Sequence, residues 1–330
     1  MAKELIDVVP TVEVVVVSRN TEAESVISLE LGSATGEPLP SWTPGAHLDV
    51  WLPNGLIRQY SLCGDCGDTG DTGDTGSGTW RVAVLAEPRS RGGSAWLHDN
   101  ATEGTRLKVV GPRNHFELLP ARGYVFIAGG IGITPLLPMV AKAQRDGAGW
   151  RLWYGGRSRR SMAFLEELER YGERVRVWPQ DEHGLLDLPA ILGELESGTL
   201  VYCCGPASLL DAVQEHCREL PPKTLHVERF TASERRDGGE DDRPFEVECA
   251  ASGLTVTVPA GVSILDSLAR AGVEVPSSCT EGVCATCETV VLDGEPDHRD
   301  SVLSEEEREE GEVMMICVSR AKGGRLVLDV

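Results

Sequence analysis

From residue 12 to about 119, apolar and polar positions alternate in short runs, each closed by glycine, proline or asparagine. Residues 12–17, 26–31, 47–52, 56–62, 80–85 and 106–110 are rich in β-branched or aromatic side chains with a period near two, the pattern of half-buried strands. Pro53-Asn54-Gly55 is a turn signal that sends one such run back along the next. Six short strands at this spacing predict a small antiparallel barrel. Past Leu119 the period changes. Apolar runs at 124–128, 151–156 and 200–206 alternate with helical patterns at 136–142, 161–171 and 207–219, as in a parallel α/β sheet. Residues 232–243 are polar and bury nothing, which predicts a hinge. Strand patterns return at 245–249, 254–258, 288–292 and 325–330, with a helix from Ser263 and a capping box, Ser304 with Glu307, opening a short acidic helix. The expected order is a barrel at 1–119, an α/β domain at 120–230, a linker at 231–243 and a small β-rich domain at 244–330.

The charge narrows the functions open to this chain of 330 residues. With 31 basic against 52 acidic residues the formal charge is −21, which argues against a nucleic-acid partner or an anionic membrane surface. The first residues, Met-Ala-Lys-Glu-Leu-Ile-Asp, carry acids where a secretory leader has a basic region. The most apolar run, 125–141, holds Gly129, Gly130, Gly132, Pro135 and Pro138 and makes a poor membrane span. A cytoplasmic protein is expected, and its ten cysteines then serve as ligands more readily than as disulfides.

Cys279, Cys284 and Cys287 stand in a C-x4-C-x2-C spacing, with Cys317 further on. Thiolates so spaced converge on one point, in the plant-type pattern of a [2Fe–2S] centre. Gly282, Ala285 and Thr286 between them let the loop wrap tightly, so that backbone N–H groups can face sulfur. Zinc sites prefer paired C-x2-C units, often with histidines. Cys63 and Cys66 are also spaced C-x2-C, but no helix start follows, so a strand-end cysteine beside a loop cysteine is expected rather than a redox pair. The repeated Asp-Thr-Gly between Gly64 and Thr79 is low-complexity, read as a loop rather than as a protease motif.

Two groups in the barrel bear on ligands. Arg58 and Tyr60 share one strand face, with Ser61 next to them, and Gly92, Gly93 and Ser94 form a glycine turn opening a short helix, a setting that suits phosphate. In the α/β region Gly129-Gly130-Ile131-Gly132-Ile133-Thr134-Pro135 joins strand to helix, and Tyr202-Cys203-Cys204-Gly205-Pro206 ends a later strand. In this order the motifs resemble the ferredoxin–NADP reductase superfamily. The resemblance implies that Arg58 meets the flavin phosphate side, Tyr60 lies against the isoalloxazine, and Ser61 bonds near its reactive nitrogen. Gly92, Gly93 and Ser94 would take the phosphate. Gly130, Gly132, Thr134 and Pro135 would line the dinucleotide, with Cys204, Gly205 and Pro206 near the nicotinamide. Phe230 is either a cover over the flavin ring or a core phenylalanine. Arg157, Arg159 and Arg160 either grip a 2′-phosphate or form a solvated loop, so NADH is expected and NADPH stays open.

The C-terminal region resembles a plant-type ferredoxin, a β-grasp module. Flavin barrel, nucleotide domain and C-terminal ferredoxin together resemble the phthalate dioxygenase reductase family, which includes the vanillate O-demethylase reductases. That resemblance implies FMN rather than FAD, hydride transfer from NADH to flavin with Ser61 and Cys204 at the reacting end, and single electrons leaving through the cluster to a terminal oxygenase. The expected acceptor is a Rieske-type dioxygenase or O-demethylase. The alternatives are a haem monooxygenase, or a stand-alone reductase of a small molecule.

Overall fold

A computed structural model describes residues 10–66, 78–88, 90–193, 195–231 and 242–330. The repeat between Gly64 and Thr79 and the polar stretch at 232–243 lie largely outside the described residues. The chain divides into two compact units, Met1–Glu228 and Arg229–Val330. Among the described residues, no helix is long and apolar enough to cross a membrane.

The first unit opens with strands β1 (Thr11–Ala23), β2 (Val26–Ser33), β3 (His47–Trp51), β4 (Ile57–Ser61) and β5 (Thr79–Leu85), then helix α1 (Gly93–Asn100) and β6 (Arg106–Arg113). They form one antiparallel sheet in the order β4-β3-β6-β1-β2-β5. A bridge between Leu62 and Val82 brings its two edges together and closes the barrel. Inward positions carry Val14, Leu29, Leu31, Leu48, Val50, Trp80 and Val109, all buried. Each such side chain contributes roughly 1.5–3 kcal/mol by leaving water. β1 runs beyond the expected strand because Arg19, polar in sequence, caps carbonyls of His98 and Ala101 at 2.8 and 3.1 Å, and two bulges absorb the register.

Then follow β7 (Gly123–Gly129), α2 (Ile133–Arg145), β8 (Gly149–Gly156), α3 (Leu165–Glu169), β9 (Val175–Pro179), α4 (Gln180–His183), α5 (Leu188–Leu192), β10 (Thr199–Cys204), α6 (Ala207–Cys217) and β11 (Leu225–Glu228). The five strands are parallel in the order β11-β10-β7-β8-β9. β7 is central and buried almost throughout, so it reads as an unbroken apolar run rather than an alternating one. The helix expected over 161–171 is reduced to a 3-10 turn at Arg159–Ser161 and the five residues of α3. Phe164 causes the break: it sits at φ 61°, buried in the core, with the Arg81 guanidinium 5.1 Å from its ring. Arg81 also bonds Glu167 at 2.8 Å, which ties the barrel to the α/β sheet.

The second unit holds β12 (Phe245–Cys249), β13 (Leu254–Val258), α7 (Ile264–Arg270), β14 (Glu288–Asp293), β15 (Pro296–Asp297), α8 (Glu305–Glu310), β16 (Val313–Met315), β17 (Arg320–Ala321) and β18 (Arg325–Leu328). Its main sheet runs β13-β12-β18-β14-β16, with β12 and β18 parallel, a β-grasp. Ser263 caps α7 by accepting the Asp266 N–H at 3.0 Å. Ser304 and Glu307 form both bonds of the expected capping box at α8. The core gathers Phe245, Val247, Leu268, Met314 and Leu326 next to Cys287 and Cys317.

Candidate redox site

Ser61 ends β4 and is 5 % exposed. Its hydroxyl hydrogen-bonds the carboxyl of Glu228, the last residue of β11. Cys204, buried at the end of β10, donates its thiol to the same carboxyl at 3.9 Å. Barrel and nucleotide sheet thus meet at three polar groups from three strand ends. Burial of the Glu228 carboxyl pushes its pKa up to about 8, against the lowering effect of the Ser61 and Cys204 bonds. Burial, and after it the neighbouring Glu228, hold the Cys204 thiol well above its ordinary range, so it stays protonated. The sequence reading singled out Ser61 and Cys204 but not Glu228. A half-buried acid at a strand end is invisible until the fold supplies its neighbours.

Arg58 and Tyr60 lie on the same strand as Ser61. Burial raises the Tyr60 phenol, with nearby Arg58 opposing the shift. The Arg58 stem crosses the start of α1, where a Cβ on Gly93 would come within 2.7 Å of Arg58 Cγ. Gly92 sits at φ 100° as the helix cap, and Ser90 Oγ accepts its N–H at 3.1 Å and that of Ala95 at 3.4 Å. The N–H groups of Gly93 and Ser94, at the start of α1 beside a guanidinium, are the ones that suit an anion. The Ser94 hydroxyl donates to Ser90 at 3.0 Å and accepts the Glu87 N–H at 3.3 Å, so its part toward a phosphate falls to its backbone N–H. This cradle, with half-buried Tyr60 on the same strand as Arg58, fits a flavin phosphate and ring.

The two glycine turns touch each other. A Cβ on Gly132 would lie 2.3 Å from the Cys204 carbonyl oxygen, and one on Gly205 would lie 2.9 Å from Gly129 Cα. Pro206 packs on the same contact, with its Cδ 2.7 Å from a Cβ built on Gly129. Gly130, at φ 55° with open space around it, is the position free to face a ligand. Thr134 and Pro135 are buried, and Thr134 donates to the Ile131 carbonyl at 3.0 Å. Phe230 is 40 % exposed and falls in the second unit, so it is not the core phenylalanine of the α/β domain. A cavity of 720 Å³ beside the Arg81–Glu167 pair is lined by none of these residues.

In the second unit Cys284, Cys287 and Cys317 are buried and Cys279 partly so. Cys279 bonds Cys284 and Cys317, and Cys317 bonds Cys287, so the thiols form a continuous chain of neighbours. Those thiol bonds draw the Cys279 pKa down, and the Cys317 bond does the same for Cys287. Glu281 N–H points to Cys279 Sγ at 3.3 Å, Cys279 N–H to Cys284 Sγ at 3.5 Å, and the Thr286 hydroxyl lies 3.1 Å from Cys284 Sγ. Among the described residues no His, Cys, Asp or Glu trio is gathered as a single-ion site. Thiols with amides and a hydroxyl aimed at sulfur fit an iron–sulfur centre.

The loop is held tightly. Gly282 sits at φ 71° with Val318 Cγ2 and Asp300 Cα within 2.6 and 3.0 Å of any Cβ. Ser301 N–H donates to the Gly282 carbonyl at 2.8 Å. Asp300, buried, accepts the N–H groups of Val302 and Leu303 at 3.0 and 2.8 Å. Asp300 was another residue the sequence did not reveal.

Known proteins agree with this construction. Residues 247–322 match the 2Fe-2S iron-sulfur cluster binding domain, and residues 126–215 the oxidoreductase NAD-binding domain. The chain is 45 % identical over 312 residues to phenoxybenzoate dioxygenase subunit beta of Ectopseudomonas oleovorans, covering 93 % of this chain and 94 % of that protein. Phthalate dioxygenase reductase of Burkholderia cepacia is 37 % identical over 321 residues, 96 % of each chain. A solved phthalate dioxygenase reductase, described as a modular structure for electron transfer from pyridine nucleotides to [2Fe–2S], is 36 % identical with a TM-score of 0.68, covering 97 % of this chain and 98 % of that one. An intact type IV self-sufficient cytochrome P-450 monooxygenase is 42 % identical with a TM-score of 0.88. It matches 100 % of this chain, which spans 43 % of that protein. With full-length identity, the NAD-binding domain and the cluster domain in hand, the chain belongs to the phthalate dioxygenase reductase family of NAD(P)H-dependent oxidoreductases.

Proposed function

We propose that this chain oxidises NADH where its barrel meets its nucleotide sheet, and delivers electrons one at a time through its cluster domain to a terminal oxygenase of the Rieske type, an aromatic-ring dioxygenase or O-demethylase. The observation that carries the reading is the convergence of Ser61, Cys204 and Glu228 in a chain whose other unit gathers four thiols. A bound flavin takes two electrons as hydride and yields them singly, and a [2Fe–2S] centre accepts one at a time. Arg58 and the N–H groups of Gly93 and Ser94 would hold the phosphate of FMN, and Tyr60 would pack on its ring. Gly92 supplies the turn that points those amides outward. Ser61 donates toward the reacting edge, Cys204 excludes water there, and Glu228 holds a proton behind both. Gly130, Gly205 and Pro206 would shape the nicotinamide end. Cys279, Cys284, Cys287 and Cys317 would ligate the irons. FMN is preferred to FAD for the short turn at residues 91–94.

The oxygenase named in two relatives supports an oxygenase acceptor, and the full coverage of this chain by a self-sufficient cytochrome P-450 supports a haem enzyme as the second reading. Cys279→Ser tests the order of transfer. The variant is expected to keep reduction of its flavin by NADH and to lose reduction of either kind of oxygenase. Wild-type rates of transfer to an oxygenase by that variant would contradict the order proposed.

A further inference from the structure

In the second unit the chain leaving β15 carries His298, whose side chain is only 7 % exposed. Neither of its ring nitrogens has a hydrogen-bond partner among the described residues. The Asp300 carboxyl is fully buried, with Oδ1 at 3.9 Å from His298 Nδ1. Its Oδ2 accepts from Val302 and Leu303, while Oδ1 has no partner among the described residues. Buried polar groups are almost always bonded in native proteins, so two orphaned groups side by side call for an explanation. One added proton supplies it: a charged imidazole donates from both nitrogens, one of them toward the unbonded oxygen.

The charges around the ring come close to balance. Burial lowers the His298 pKa below its ordinary 6.5, Asp300 opposes that, Arg308 of α8 and Lys322 after β17 add to the lowering, and Asp297 opposes it. Lys322 is itself held by Glu295 at 2.7 Å, and Arg308 lies 3.6 Å from Asp300 Oδ2. Arg299, next in sequence, is bound to Asp297 and Asp242, and Glu288 is a further acid near Asp300. One more negative charge nearby would tip the ring toward its protonated form. The fold provides a place for that charge. Asp300 Cα would stand 3.0 Å from a Cβ built on Gly282, and the Ser301 N–H donates to the Gly282 carbonyl at 2.8 Å. Gly282 lies between Cys279 and Cys284, so an electron arriving among the thiols acts on this pair across packed protein, where charge is felt more strongly than in water.

We propose that His298, with Asp300 as its partner, takes up one proton when the cluster takes up one electron, so that the cluster's reduction potential falls as pH rises. The inference rests on the reading of the four thiols as cluster ligands and goes beyond it. The electron comes from NADH by way of the flavin, and the proton comes from solvent. When the acceptor removes the electron the proton returns to solvent, so charge is matched in both directions. His298 is a positioning residue in this scheme: it acts on the cluster through its charge and ligates nothing. A tenfold rise in its proton affinity on reduction corresponds to about 59 mV for a one-electron centre.

The test uses the full-length holoprotein. Redox titrations followed by the cluster's own electron paramagnetic resonance signal, at pH values on both sides of the ordinary histidine range, read the cluster's potential apart from the flavin's. Wild type is expected to drop by about 59 mV in all, the equivalent of a tenfold change, between the pH where the ring is charged in both redox states and the pH where it is neutral in both. His298→Gln, which keeps a neutral polar side chain, is expected to bind the cluster with an unchanged signal and to hold one potential across the range. Nitrogen-15 resonances of the His298 ring in oxidised and reduced wild type give a reading that needs no variant, and the ring is expected to titrate at higher pH in the reduced protein. A wild-type potential independent of pH, a slope that His298→Gln retains, or a ring that titrates alike in both states would overturn the proposal and leave the reductase reading intact. A chain that takes up no iron–sulfur cluster at all would remove both this proposal and the reading beneath it.

Discussion

Glu228 keeps its proton to about pH 8 because its carboxyl is shut in between Ser61 and Cys204, and their two bonds only partly offset the loss of water. Its folded pKa lies above its ordinary value of 4.5. The neutral form therefore stabilises the folded chain most fully below that value, and the contribution fades as pH rises through about 8. The rate of flavin reduction by NADH is predicted to change through the same range, since that proton sits beside the reacting end. Glu228→Gln, which keeps the neutral shape, is predicted to flatten that limb of the pH profile. A limb unchanged in the variant would assign it to another group. Sequence reading missed this residue for a physical reason. In His226-Val227-Glu228-Arg229-Phe230 an acid beside an arginine looks like ordinary surface, and only the barrel, far away in sequence, turns it into a half-buried partner of Ser61. Arg58, Tyr60 and the cluster cysteines were legible because strand alternation or ligand spacing marks them locally.

At the level of elements, alternation over 12–110 and strand–helix alternation beyond it gave the right kinds of sheet, because each strand's burial is written in its own residues. The helix at 161–171 failed because Phe164 takes a left-handed backbone to reach the core under Arg81, a choice made by packing and not by propensity. The glycine turns were read correctly as turns, but their glycines serve a purpose the motif alone does not state. Gly132 and Gly205 let one turn lie directly on the backbone of the other, which sets the height of Cys204 against the site. Gly132→Ala is accordingly predicted to cost about 1–3 kcal/mol by overpacking against the Cys204 carbonyl, and to weaken nucleotide binding as well. Chemical denaturation and calorimetry with NAD+ measure the two effects. A variant as stable as wild type would mean that the turns can part without cost.

For the whole molecule, the division of labour follows from what each unit can bury. The first unit has a barrel and a parallel sheet joined by Arg81 and Glu167, and it brings Ser61, Cys204 and Glu228 together at three strand ends. The second is a small β-grasp whose core runs directly into its thiols, so the loop that bears Cys279, Cys284 and Cys287 is set by Gly282 against Asp300. The excess of 52 acidic over 31 basic residues belongs to the chain as a whole and names no partner by itself. The central claim is that paired electrons enter this chain and single electrons leave it. It is tested most directly by anaerobic titration of the purified protein with NADH, followed together by visible absorbance and electron paramagnetic resonance. The account predicts bleaching of a flavin band and, with it, the low-temperature signal of a reduced [2Fe–2S] centre. Protein that carries no flavin after reconstitution, or a flavin that bleaches while no cluster signal ever develops, would contradict it.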